Sequence, residues 1–381
     1  MKDPTPPAHE TAQSRRTFVR NMTLGAAFLG SGAAGSLAAE VDEATKGGER
    51  RPGVVLMGLG LYARGELGPG LTKTKVCRFA GVITGSHDKG VAWSRQYGFP
   101  EKNIWSYDTM HEIAGNPDVD IVYAATPNGL HAEHAVMAAQ AGKHVIVEKP
   151  MANTAAECDA MIAACRKANV KLSVGYRLQF DPYHIELDRL ARDKDFGALD
   201  KLSGEHSWAF RERAWRIEKK LSGGGPLMDV GIYVIQAACR AAMAQPVAVT
   251  ARELPKTNPE FFNEVEEAIE WTMEFPDGAT CRASSSYARN SNFFMAEGAK
   301  GWIRLDPAYA YRGINVTTSR GPLSYPEIPQ QSLQMDNFAS CILTGRESPV
   351  GGRMGRDHMV VIDAVYKSAA EGGRRVELPG A

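Results

Sequence analysis

The apolar run Val54-Val55-Leu56-Met57 passes straight into Gly58-Leu59-Gly60-Leu61-Tyr62-Ala63, a strand feeding the G-x-G-x-x-A form of the dinucleotide fingerprint. Each position has a physical reason. The first Gly allows a tight turn, the second lets backbone N–H groups approach a pyrophosphate, and a small third residue lets the next helix pack closely. A chain with 38 glycines produces such a string by chance, so its context decides its meaning. Here the context alternates. Strands are expected over 78–83, near Ile104, over the continuously apolar 121–125 and over 145–147, with helices over 91–97, 108–114 and the amphipathic 130–141. This alternation predicts an α/β fold with an N-terminal Rossmann domain over 54–150, a doubly wound parallel sheet taking its ligand at the carboxyl ends of the strands.

The residues at those ends select the ligand. Gly58, Gly60, Leu61 and Tyr62 make the pyrophosphate loop. An NAD site places Asp or Glu after the second strand for the ribose hydroxyls. Here Thr84, Gly85 and Ser86 stand there instead, hydroxyls able to donate to a 2′-phosphate, with Lys89 three residues on. That pattern favours NADP; Asp88 as a ribose acceptor is the competing reading. Thr126-Pro127-Asn128, with His131, lies at the tip of the fourth strand, where a nicotinamide would rest, and Glu148-Lys149-Pro150 at the tip of the fifth. Pro150 stiffens that turn and sets a lysine beside the cofactor.

At about 150 residues per domain, 381 residues predict two domains. The 44 basic residues balance 44 acidic ones, which argues against the basic face a nucleic-acid partner needs. Six cysteines form no CxxC pair, so no metal site is expected and they read as buried thiols. The start of the chain reads as an address. Ser14-Arg15-Arg16-Thr17-Phe18-Val19-Arg20 is a twin-arginine pattern, 22–39 is mildly apolar, and Ser36-Leu37-Ala38 offers small residues for cleavage. Eighteen residues so rich in Gly and Ser fall short of the ~20 strongly apolar ones a spanning helix needs, so no stable membrane anchor is expected. Residues 1–39 are thus expected to be a signal peptide for export of the folded protein to the periplasm by the twin-arginine machinery. A polar linker follows over 40–53.

Three motifs carry a resemblance: AATPNGLHAEHAVMAAQAGKHVIVEKP at 124–150, VGYRLQFDP at 174–182 and GGGPLMDVGIY at 223–233. They resemble the glucose–fructose oxidoreductase and inositol dehydrogenase family, over residues 54–371. Most of that family has Asp-x-x-x-His where this chain has Asp229-Val230-Gly231-Ile232-Tyr233. Tyr at that place is similar to the glucose–fructose oxidoreductase branch, and the short linker resembles its aldose–aldose members, which lack a long Pro-rich arm. The resemblance implies a C-terminal α+β domain over 151–366, with a large, open, mostly antiparallel sheet and helices on one face, then a tail over 367–381. It also implies tightly bound, non-dissociating NADP and a homodimer formed through the exposed sheet face. Strand-like runs at 201–210, 247–252, 268–275, 280–287 and 292–297 agree, with Pro276-Asp277-Gly278 as a turn and a last helix over 357–371 packing back on the first domain.

Oxidising an aldose at C1 removes a hydride from carbon and a proton from its hydroxyl. With the resemblance, Tyr233 is the acid/base, Lys149 the cation that favours its phenolate and binds the reacting oxygen, and Asp229 the residue that orients sugar hydroxyls one helical turn earlier. Arg177 matches a cofactor-contacting Arg of the family and is expected against the cofactor or the sugar. Trp215 and Arg216 are expected to close over the cofactor and Tyr107 to stack near the adenine. Phe180 and Asp181 are expected to be structural. His206 and Trp208 alternate on one strand, bordering the sugar pocket or serving as ordinary sheet-face residues. The whole reads as a ping-pong enzyme that oxidises an aldose to its lactone and reduces a second sugar to its alditol. A conventional NAD(P)-dependent sugar or inositol dehydrogenase is the rival within the enzyme class. A non-catalytic sugar sensor is the rival outside it, and the intact Lys149, Asp229 and Tyr233 argue against it.

Overall fold

The computed structural model describes residues 50–379. The expected signal peptide, with its export and anchor readings, lies outside the described residues. The first sheet contains β1 (Gly53–Met57), β2 (Arg78–Ile83), β3 (Ile104–Trp105), β4 (Ile121–Ala124), β5 (His144–Val147) and β6 (Leu172–Val174). Its order is β3-β2-β1-β4-β5-β6, and every pair is parallel. β1 and β4 are buried along their whole length, as strands covered by helices on both faces must be. The strand order reverses between them, which opens a crevice at their carboxyl ends.

Two details depart from the sequence expectation. The stretch expected as a helix over 108–114 is a 3-10 segment, Met110–Gly115. Ser106 and Thr109 exchange side-chain bonds at its start, and Asn116-Pro117 closes it after six residues, too few for a stable α-helix. The first sheet also continues past Pro150. The helix Ala155–Lys167, opened by a Thr154–Glu157 capping box, returns the chain to β6. β6 is three residues long and includes Ser173, so no periodic signal marks it in the sequence.

The second sheet has nine strands in the order β14-β13-β12-β11-β7-β10-β9-β8-β15. They are β7 (Leu199–Ser207), β8 (Ala248–Glu253), β9 (Ala268–Glu274), β10 (Thr280–Ser286), β11 (Ser291–Gly298), β12 (Gly301–Leu305), β13 (Val316–Thr318), β14 (Gly321–Leu323) and β15 (Val376–Glu377). Only β7 and β10 pair in parallel. The buried helix Ile232–Ala242 lies on the inner face against β7 and β11. The last helix, Gly352–Ala370, begins earlier than expected and serves both domains. It packs on β8 of the second sheet and on Ala155–Lys167 of the first domain, where Asp363 accepts from the Ala155 N–H at 3.0 Å. Residues from the helix Ile232–Ala242, the end of β5 and the loop after β12 meet where the two domains face each other.

Candidate active site

Lys149 lies just past the end of β5, and its bond to Pro150 is cis. Its ammonium donates to the Asp229 carbonyl oxygen at 2.7 Å, lies 3.9 Å from Asp229 Oδ1, and stands 4.8 Å from the centre of the Tyr233 ring. Asp229 lies in a π turn, Leu227–Gly231, that runs into the helix Ile232–Ala242, so its side chain and Tyr233 both face the lysine. The three residues expected to carry the chemistry are therefore together.

Asp229 is the most heavily engaged of them. Its Oδ2 accepts from Arg216 Nε at 3.1 Å, Trp208 Nε1 at 3.2 Å and the Tyr287 hydroxyl at 3.2 Å. Burial alone would raise its carboxyl, but Arg216, Lys149 and the Trp208 N–H together bring it below the usual aspartate value. Asp229 is a carboxylate at neutral pH. With three donors on Oδ2, Oδ1 is the oxygen left to a substrate hydroxyl. Arg216, expected over the cofactor, instead faces Asp229, with its guanidinium 4.6 Å from the Trp215 ring and 5.8 Å from the Trp208 ring. The arginine turns to the nearest buried negative charge.

Tyr233 is framed by His206 and Tyr309, with ring centres at 5.3 and 5.8 Å, and by the Arg177 guanidinium at 5.2 Å. His206 thus belongs to the site. Burial, with Lys149 and Arg177 close by, pushes its imidazole down to about 3, so it is neutral beside the cations. Arg177 is buried and anchored: Nη2 donates to the Tyr309 carbonyl at 2.6 Å, and Nη1 to the Ala310 carbonyl at 3.1 Å and to Gln330 Oε1 at 2.5 Å. Its cation faces Tyr233 and Tyr311, the latter at 4.3 Å, while its hydrogen bonds hold a loop of the second domain. Asp181 accepts from Gln330 and caps the helix Pro182–Arg192, a structural role as expected.

Several residues expected to face the dinucleotide have their side chains committed elsewhere. Glu148 is buried, taking the Tyr123 hydroxyl at 2.6 Å and the Lys149 N–H at 3.1 Å, so it braces the lysine's loop from beneath. His131 is turned inward, with Nδ1 2.9 Å from the Pro150 carbonyl and Nε2 2.8 Å from the Thr126 carbonyl. Burial drives its imidazole to about 4, and the neutral ring ties the two loops together. Asn128 donates to the Ser222 carbonyl at 2.8 Å, joining the domains. Thr126 pairs with His134 at 2.9 Å, while Pro127 is half-buried beside it. In each case a buried polar group takes the nearest protein partner, since leaving it unpaired is costly.

The fingerprint is shaped for a dinucleotide. Gly58 has φ +88°, and a Cβ there would meet the Ala125 carbonyl oxygen at 2.8 Å. Nothing lies within 4 Å of where a Cβ on Gly60 would stand, so the loop is open to a ligand that approaches its backbone. Leu61 and Tyr62 begin the next helix, presenting its first N–H groups. At the end of β2, Thr84 is buried and Gly85 exposed. Ser86 caps the helix His87–Tyr97, accepting from the Lys89 N–H at 3.4 Å. Lys89 is exposed. Tyr107 stacks on His134 with ring centres 5.3 Å apart, its edge 3.5 Å from where a Gly85 Cβ would stand, beside the end of β2.

Residues 53–176 match the oxidoreductase family with an NAD-binding Rossmann fold, and 184–304 match the GFO/IDH/MocA C-terminal domain. The crystal structure of aldose-aldose oxidoreductase from Caulobacter crescentus, complexed with glycerol, is 42% identical, with a TM-score of 0.83, covering 86% of this chain and all of that one. The chain belongs to the GFO/IDH/MocA family. It is a dinucleotide-dependent oxidoreductase. D-xylose 1-dehydrogenase [NADP(+)] from Haloarcula marismortui is 25% identical over 331 residues, 82% of this chain and 90% of that protein. Levoglucosan dehydrogenase, solved with NADH and levoglucosan, shares the fold at a TM-score of 0.73 and 22% identity, over 87% of this chain and all of that one.

Sequence reasoning missed Tyr287, Tyr309 and Tyr311. The pair in Ala308-Tyr309-Ala310-Tyr311 follows a Pro and has aromatic spacing of two, which is the one local signal available.

Proposed function

We propose that this protein is an exported oxidoreductase that keeps NADP bound, oxidises an aldose at C1 to the lactone and reduces a second sugar to the alditol in alternating half-reactions. The convergence of Lys149, Asp229 and Tyr233 at the carboxyl ends of the parallel strands carries this reading. The 42% likeness to an aldose-aldose oxidoreductase supports the choice of substrate. Bound NADP supplies the hydride acceptor in the first half-reaction and the donor in the second. Lys149 binds the reacting oxygen. Tyr233 takes the proton of the C1 hydroxyl on oxidation and returns one to the carbonyl oxygen on reduction. Asp229 Oδ1 accepts from a neighbouring sugar hydroxyl and fixes the ring. His206, neutral and packed on Tyr233, leaves the positive charge of the site to Lys149 and Arg177. NADP is preferred to NAD because Ser86 and Lys89 stand where an acidic ribose acceptor would be. Folded export by the twin-arginine route to the periplasm, where free nucleotide is scarce, fits a retained cofactor. The protein works as a homodimer joined through the second sheet.

The test is an absorbance spectrum of the purified protein, with no cofactor added, before and after glucose. A reduced-nicotinamide band that appears with glucose and disappears with a second sugar is expected. Tyr233→Phe should still hold nucleotide yet form the band roughly 10²- to 10⁴-fold more slowly. Reduction only when NAD or NADP is supplied would make this a conventional dehydrogenase. No band under any condition would leave a sensor.

A further inference from the structure

Two residues of the second domain reach back onto the fingerprint loop of the first. Tyr311 stacks on Tyr62, ring centres 5.8 Å apart and planes 26° from parallel. Beside it, Arg312 makes a two-pronged pair with Glu66, Nη1 to Oε1 at 3.2 Å and Nη2 to Oε2 at 3.3 Å. Glu66 belongs to the π turn Ala63–Leu67 that directly follows the fingerprint. Both clasping residues stand on the segment between β12 and β13. That segment is held at its base by the Arg177 bonds to the Tyr309 and Ala310 carbonyls, and past its tip by the Gly313 N–H to Glu327 at 2.9 Å.

Exposure sets these contacts apart from ordinary domain packing. Among the described residues the large apolar side chains left exposed are Leu61 at 72%, Tyr311 at 42% and Trp208 at 36%. All three border this cleft: Leu61 precedes Tyr62, Tyr311 lies on Tyr62, and Trp208 bonds Asp229. The Arg312 side chain is itself largely open to solvent. Tyr62 and Glu66 are largely buried against the first domain, so the exposed second-domain side, Tyr311 and Arg312, is the one able to lift away without disturbing a core. A pyrophosphate held by the N–H groups at the start of the helix after Gly60 would lie beside this contact.

We propose that Tyr311 and Arg312 form a clasp over the dinucleotide-binding loop and set the rate at which the dinucleotide leaves. The inference rests on the reading that the fingerprint binds NADP. Release requires the Tyr311–Tyr62 stack and the Arg312–Glu66 pair to part, and the segment swings from its base at Arg177.

The experiment loads the purified protein with NADPH and follows its fluorescence after mixing with excess NADP. Tyr311→Ala, Arg312→Ala and Glu66→Gln are each expected to raise the dissociation rate roughly threefold to tenfold, while Tyr311→Phe, which keeps the ring, stays within about twofold of wild type. Melting temperatures of the Tyr311 and Arg312 variants measured alongside should be unchanged, because those two side chains are exposed and not part of a core. Rates unchanged in both alanine variants overturn the clasp. Wild-type protein that purifies without nucleotide overturns only the retained-cofactor reading, since the order of rates for added NADPH still decides the clasp. A protein that binds no NADPH overturns both.

Discussion

Asp229 shows how one side chain is tuned by its neighbours. Burial pushes its carboxyl up, and Arg216, then Lys149, pull it below the usual value. A carboxyl depressed in this way adds stability that is present above its unfolded pKa and lost as pH falls through the folded one. In the proposed reaction its contribution to activity follows the same sign, because it is the ionised form that would receive a sugar hydroxyl. Arg216→Met removes the largest opposing influence, so the Asp229 carboxyl should rise and the acid limb of the kcat/KM profile should move to higher pH. An acid limb that stays in place would mean that another group titrates there. Of the donors around Asp229, the sequence offered Arg216 and Trp208 only as candidates with other duties, and Tyr287 not at all. A tyrosine after a serine run reads as ordinary sheet, and its partner lies 58 residues away.

The loop after β5 shows the same logic at the level of an element. Its position depends on what β6 brings beneath it. The Gly175 N–H donates to the Val147 carbonyl at 2.7 Å, and a Cβ on Gly175 would fall 2.6 Å from Glu148 Oε1 and 2.9 Å from Oε2. Glu148 in turn holds the Lys149 N–H. Gly175→Ala should therefore displace the carboxylate and, through it, the lysine. A loss of about 1–3 kcal/mol in stability and roughly tenfold in kcat is expected, read by thermal unfolding and steady-state turnover. Wild-type turnover in that variant would show that Glu148 does not position Lys149. The central strands β1 and β4 of the first sheet were legible because each is a continuous apolar run, whereas the 3-10 segment Met110–Gly115, the π turn at Asp229 and the short β6 leave no period to read.

At the scale of the molecule, the helix Ile232–Ala242 covers one face of the second sheet, and the other carries partly exposed Phe293, Met295 and Trp302, with Arg304 lying 4.8 Å over the Phe293 ring. Strand register places these side chains on one side: Met295 faces Arg304 and Glu297 faces Trp302 across the β11–β12 pair. The apolar patch that Phe293, Met295 and Trp302 form on β11 and β12 gives a second copy a place to pack on this face. Light scattering should find a dimer for the wild-type protein, and Trp302→Glu should give a monomer at the same concentration, because its carboxylate would face Glu297 across the β11–β12 pair inside the interface. A wild-type monomer would remove the sheet face from the assembly.

The chain alone made the Rossmann half and its nucleotide loop readable, and the family resemblance of its motifs pointed to Lys149, Asp229 and Tyr233. Strand and helix periods and the G-x-G-x-x-A turn are local properties of backbone and burial, and the motif residues stand within short, readable strings. What those residues touch is set by packing. Lys149 meets Asp229 across 80 positions, Arg312 meets Glu66 across 246, and His131 turns away from the cleft to bond two carbonyls. Such contacts follow from how two sheets and their helices pack, and from each buried polar group taking the partner that packing leaves nearest. No local pattern in the chain encodes that choice.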